Sequence, residues 1–446
     1  MERLPIVDSL LFQNPMNIIS ISRWASGLLL LLALGCLAQN QSTAQDYPKQ
    51  VTTLTKLKGI QHALAIIDKL EPITQQEHIT LTQIPAPPFQ ESVRANYFKK
   101  MLEQAGADQV WMDSVGNVLA LRKGKKGART IVLEAHVDTV FPAGTDVTVK
   151  IKGDTLFAPG IADDTRGLIA VLTVLKALEQ AHVKTTDDVL FVGTVGEEGL
   201  GDLRGVKYIL GKSKRKIDAW LAVDGIDIGE IVNKGLGSYR YRATVLGPGG
   251  HSWEAFGLGN PHHAMAKAVN YFSDAATQFT ASGEKTSFNI GRSGGGTSVN
   301  SIPFESWVEV DMRSGSPARL NSLDSIFKAS MARGVAEYNN QVKVGPKLTL
   351  KLERIGYRPS GITVETSPIV QRALATAQYF KVNPRLIVQS TNANTAMAYG
   401  IPAITLGAGG QGGGFHALTE WWVNDKGADG IKFILLNLLL EAGVEQ

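Results

Sequence analysis

The stretch GTVGEEGLGD, residues 193–202, sets Glu197 and Glu198 side by side after an apolar, β-branched run, DDVLFV. Neighbouring carboxylates at the mouth of a buried strand repel each other unless a strong positive charge lies close by. Acids and histidines recur in comparable places. TIVLEAHVDTV carries His136-x-Asp138, APGIADDTRG carries Asp163 and Asp164, LAVDG carries Asp224, and GAGGQGGGFHALTEW carries His416. Singly, each has a bland explanation. An H-x-D pair is more often a satisfied surface histidine, an aspartate before a helix is often only a cap, and the glycine run lacks the Lys-Ser/Thr of a phosphate loop. Together they form a pattern: each sits where an apolar strand gives way to a loop, the edge at which open α/β sheets bind ligands. Two histidines and three carboxylates (His136, Asp163, Glu198, Asp224 and His416) make a thiolate-free donor set that suits zinc. Two divalent ions balance three carboxylates and a bridging hydroxide, so a pair of metals about 3.5–4 Å apart fits better than one. Asp138, two residues past His136, is expected to orient its ring.

Positioning such residues takes a sheet with helices on both faces. Apolar runs alternate with helical segments from NVLALRKG to AWLAVDG, which predicts an α/β fold. The style changes near residue 237. There SYRYRATVLG, PHHAMAKAVNYFSDAAT, KTSFNIGR, SWVEVDMRS, PARLNSLDSIFKASMARGVAEYNNQ and KLTLKLERIGY read strand, helix, strand, strand, helix, strand, the ferredoxin-like order. The expected layout is a catalytic part over 46–236, an inserted α+β domain over 237–356, and a second catalytic part over 357–446.

The 446 residues allow two or three domains, and with 44% hydrophobic and 19% charged residues they can bury a large core. A net charge of +4 gives no basis for a nucleic-acid groove or a polybasic membrane face. Residues 1–45 read as an export segment, with Arg23 ahead of an apolar run, Gly27–Leu34, too short to span a bilayer comfortably. Met16 is an alternative start. ALGC, ending in the single cysteine Cys36, is an imperfect lipoprotein box, and cleavage after Ala38 or Ala44 would release a soluble protein. The working part is therefore expected beyond the inner membrane, periplasmic or held by an N-terminal anchor. Residues 40–55 read as a polar tether.

The motifs HVDTV, PGIADD, GEEGLG, VDG, GPGGHS, GGTSVNSIP with VDMR, and GGGFHALTEW follow one another in that order. In this the chain resembles the di-zinc aminoacylase/carboxypeptidase family of metallopeptidases. Its members include tripeptide aminopeptidase, glutamate carboxypeptidase, acetylornithine deacetylase and succinyl-diaminopimelate desuccinylase. The resemblance covers nearly everything after the tether and implies a zinc-exopeptidase-like α/β catalytic domain with a lid and dimerisation domain inserted. It implies that His136 and Asp224 hold one zinc, Glu198 and His416 the other, and Asp163 bridges them. Asp138 lies beneath His136, and Glu197 is general base and then acid. In the lid, His251 polarises the scissile carbonyl, commonly from a partner subunit, and Asn300 and Arg313 meet the substrate's polar end. The implied reaction is amide hydrolysis on short peptides, with N-acyl amino acids the alternative, in a homodimer holding two zinc ions or other divalent metals per subunit.

Three departures stand out. ADDTRG has an extra residue before its glycine, so Asp164 competes with Asp163 as the bridge, and the upstream PG favours Asp163. Asn392 in STNAN stands where relatives often carry Asp, which changes the charge expected near substrate. Trp253 replaces a small residue and is expected to narrow the pocket or stack there. His262 and His263 are expected to pack at a helix start, His62, His78 and His182 to be solvated, and Trp421 and Trp422 to pack the loop of His416.

Overall fold

A computed structural model describes residues 46–212 and 215–445, so the export-like segment and Cys36 lie outside the described residues. The centre is a nine-stranded sheet. Four parallel strands form its middle, adjacent in the order Asp188–Thr194, Thr130–His136, Ala219–Val223 and Ala403–Leu406. Their sequences DVLFVGT, TIVLEAH, AWLAV and AITL are near-continuously apolar, as strands covered on both faces must be. Antiparallel strands Val118–Arg122 and Gln109–Met112 extend one side. Glu230–Gly235 extends the other, flanked by Gly361–Ile362 and Arg385–Gln389.

Alternation along the strands divides the core in two. Ile131, Leu133 and Ala135 face the larger cluster, filled from helices Lys58–Thr82, Arg166–Gln180 and Gly427–Ala442. Val132 faces the other side, with Trp220 and residues of helices Arg204–Lys212 and Ala393–Ala398. Helix Arg166–Gln180 is apolar nearly all round and correspondingly buried. Among the described residues no helix is long and apolar enough to cross a membrane.

The inserted lid is a four-stranded antiparallel sheet in the order Thr286–Gly295, Glu305–Ser314, Gly237–Leu246, Thr349–Arg358. Helices Pro261–Thr280 and Pro317–Gln341 share one core with it, so the ferredoxin-like order forms as expected. A small sheet, Gln411–Gly413, Trp421–Val423, Thr155–Phe157 and Lys150–Lys152, joins two segments far apart in sequence.

Two expectations need correction. Residues Tyr47–Thr55, read as tether, form a helix with Val51 and Leu54 buried; it packs on helices Pro368–Tyr379 and Gly427–Ala442. Three buried residues in nine are too few to show periodicity. His78, expected in solvent, is fully buried: its Nε2 lies 2.6 Å from the Ile161 carbonyl, and Trp422 meets it edge-on at 5.0 Å. A carbonyl only accepts, so Nε2 carries the proton. Burial, helped by Arg166, lowers this histidine's pKa from 6.5 to about 3.

Candidate active site

The loops that leave the four parallel strands converge at one edge of the sheet. His136 is the last residue of its strand, so Asp138 already lies in the loop. The His136 Nδ1 sits 2.9 Å from the backbone carbonyl of Asp138, and the Asp138 carboxylate is 3.8 Å away. This carboxylate also accepts the backbone N–H groups of Glu197 at 3.1 Å and Glu198 at 2.8 Å. Gly196 makes the preceding turn at φ +70°, and a Cβ there would strike the Arg204 side chain.

Asp163 takes the middle position. Its Oδ1 is 2.9 Å from His136 Nε2 and its Oδ2 is 3.1 Å from His416 Nε2, which also lies 3.1 Å from Glu198 Oε1. Asp164 turns away, accepting the N–H of His136 at 3.0 Å and of Gly167 at 3.1 Å, and so caps the following helix. The upstream count that selected Asp163 therefore picks the residue facing both histidines. Glu420 holds this loop. Its carboxylate accepts the N–H groups of Gly160, Ala162 and Asp163 at 2.8–2.9 Å. It follows His416 by four residues, so one side chain fixes the Asp163 loop against the His416 loop.

The electrostatics are those of a site built around positive charge. Hydrogen bonds to Asp163 and Glu198 raise the His416 pKa to about 10. Asp163 and its neighbouring acids raise His136 well above the ordinary range despite burial. Burial, then repulsion from Asp163, pushes Asp224 well above the carboxylate range. Burial likewise lifts Glu197 to about 7, opposed by Arg358 and aided by Glu198. Ligand atoms of His136, Asp163 and Glu198 lie within 4.8 Å of one another and can hold a metal ion. The donor set fits: with Nδ1 of His136 turned to a carbonyl, Nε2 is the nitrogen free to bind. Asp163, Asp224 and His416 also line a cavity of about 290 Å³ whose other residues include Ile226, Val232 and Phe415.

The lid residues make contacts of their own. His251 sits in a two-residue strand paired with Ser301–Ile302, and its Nδ1 accepts from the N–H of Trp253 at 3.3 Å and Glu254 at 3.4 Å. Asn300 is exposed and accepts from Ser298, while Arg313 donates to Asp311 at 2.6 Å. Among the described residues no hydrogen bond or ion pair joins any of the three to the His136–His416 cluster. Trp253 is 85% exposed and lines no part of the metal-side cavity, contrary to expectation. Asn392 is buried at the start of helix Ala393–Ala398, donating to Glu134 at 2.7 Å and Thr194 at 2.8 Å. It thus answers an internal carboxylate, where substrate had been expected. Trp422 packs under the His416 loop, as expected, against His78 and 4.7 Å from the Arg166 guanidinium. Sequence reasoning missed Arg358, which reaches the site from a distant segment, and Glu420, which stands four residues past His416 inside the GGGFHALTEW motif.

Comparison with known proteins follows the same lines. The sequence pattern of Peptidase family M20/M25/M40 matches residues 132–439. The chain is 26% identical over 355 residues to the uncharacterized protein YqjE of Bacillus subtilis, covering 75% of this chain and 89% of that one. It is 27% identical over 243 residues to a succinyl-diaminopimelate desuccinylase of Leptothrix cholodnii, covering 50% and 62% respectively. Its fold matches the crystal structure of aminopeptidase PepT from Bacillus cereus with a TM-score of 0.65 at 22% identity, over 82% of this chain and 98% of that one.

Proposed function

The chain belongs to peptidase family M20/M25/M40, and on that premise we propose an exported exopeptidase that hydrolyses amide bonds of short peptides with two zinc ions. The observation that carries the reading is the split of Asp163 between two histidines, one oxygen to each. His136, Asp163 and Asp224 would hold one ion, and Asp163, Glu198 and His416 the other. Bound zinc supplies a water of near-neutral pKa and a Lewis-acid contact for the substrate carbonyl. The rest falls to the chain itself. Glu197, lifted toward neutrality by burial, takes the proton of the attacking water and delivers it to the leaving nitrogen. Asp138 holds the backbone of the glutamate pair so that the two carboxylates diverge.

His251, which is exposed and makes no bond to the cluster of its own chain, suits a role in the site of a second copy, which makes a lid-mediated homodimer part of the proposal. Export rests on the apolar run Gly27–Leu34.

The test is a panel of dipeptides, tripeptides and N-acyl amino acids assayed with metal content measured in parallel. Turnover of peptides with about two zinc ions per subunit is the expected result. Turnover of N-acyl amino acids alone would replace the peptidase reading with a deacylase, the direction in which the desuccinylase relative points.

A further inference from the structure

Arg358 is the last residue of the lid strand Thr349–Arg358, where the chain returns to the catalytic domain. Its side chain leaves the lid. Nη1 donates to Glu197 Oε1 at 2.9 Å and to Ser390 Oγ at 3.0 Å, while Nη2 donates to the Glu197 backbone carbonyl. The two side chains are only 8% and 5% exposed. A guanidinium fork that grips a carboxylate and the carbonyl of the same residue fixes the torsions between them, which a lysine or a single ion pair does not. Oε1 alone is engaged, so Oε2 remains available to a water.

The grip comes from a rigid place. Arg358 pairs in register with Ser238 on the strand that enters the lid. Beside it, a Cβ on Gly237 would come within 2.2 Å of Ser360 Oγ, so the two connections between lid and catalytic domain lie in contact. Other lid residues hold the same catalytic loop. Arg240 donates to the Gly199 carbonyl at 2.8 Å, and the Tyr357 N–H donates to Asp202 at 2.7 Å. The segment from Glu197 to Asp202 is therefore held from the lid side at three points.

We infer that Arg358 is a positioning residue, through which the seated lid holds the Glu197 carboxylate in the orientation that proton transfer requires. The inference rests on the reading of Glu197 as general base. Its rival is a pair that serves only the fold, and buried ion pairs are weak stabilisers on balance, so the rival explains the double grip on one residue poorly.

The test uses the zinc-loaded full chain with Arg358→Met, Arg358→Lys and Ser390→Ala, measuring kcat, KM, zinc content and the thermal transition. Arg358→Met should keep zinc and KM close to wild type while kcat falls roughly 100-fold, the scale of a reacting group displaced by about 1 Å. Arg358→Lys should fall between, because an ammonium keeps the charge and loses the fork. Ser390→Ala, the mildest change, should lower kcat without touching zinc. An unchanged kcat in Arg358→Met overturns the inference. So does a loss of kcat that tracks loss of zinc or of the folded fraction in all three variants. A wild-type chain that holds zinc yet turns over no peptide or N-acyl amino acid overturns the hydrolase reading, and this inference with it.

Discussion

Glu197 and Glu198 share a backbone anchor and then part. Both N–H groups end on Asp138, but one carboxylate meets Arg358 and the other meets His416. Glu197→Gln should therefore keep its metal while turnover falls by roughly 10²–10⁴, read as kcat alongside zinc content by mass spectrometry. Glu420→Gln should act the other way round. An amide offers one acceptor oxygen where the carboxylate now receives three N–H groups. Zinc affinity, measured by chelator competition, should drop by about 10–100-fold. The ligand candidates were legible in sequence because a histidine or acid that ends an apolar strand marks itself locally. Arg358 was not, since its partner lies 161 residues away, and Glu420 was passed over inside the His416 motif because the N–H groups it accepts lie up to 260 residues away. The second task of Asp138, accepting the two glutamate N–H groups, was not legible: the strand stops at His136, so two-residue alternation no longer governs the loop that carries it.

At the scale of elements, helix Lys58–Thr82 is tied to the metal-side loop by His78. The folded-state pKa, about 3, lies below the ordinary 6.5, so between those values the unfolded chain binds the extra proton. Stability from this residue is full above pH 6.5 and is lost as pH falls toward 3, about 2 kcal/mol by pH 5. Urea midpoints at about pH 5 and pH 7.5 should differ more in the wild type than in His78→Gln, which cannot take up that proton. The short helix Tyr47–Thr55 makes a separate prediction. Leu54→Ala should cost about 2–5 kcal/mol in chemical denaturation, whereas a tether residue would cost almost nothing. Long periodic helices and apolar strands could be read from sequence, because their burial repeats over several turns. This nine-residue helix could not: what orders it is the surface of two helices more than 300 residues downstream.

For the molecule as a whole, the change of pattern at residue 237 was enough to reveal the inserted lid, since strand and helix order survives without knowledge of contacts. Where the lid residues act was not legible, because no spacing in the sequence says which site His251, Asn300 or Arg313 meets. If His251 serves a partner's site, inactive Glu197→Gln and His251→Ala chains should regain activity when mixed and allowed to exchange subunits. A mixture that stays inactive while forming heterodimers would assign His251 to its own chain or to no catalytic role. The small sheet that joins Thr155–Phe157 to Trp421–Val423 has a consequence in time. During synthesis the ribosome delivers His136, Asp163, Glu198 and Asp224 first, then the whole lid, and only afterwards His416 and Glu420. Until that last segment emerges, the Asp163 loop has neither its clamp nor its second histidine. The candidate metal site is thus completed last, and a nascent chain lacks it while it is still being made.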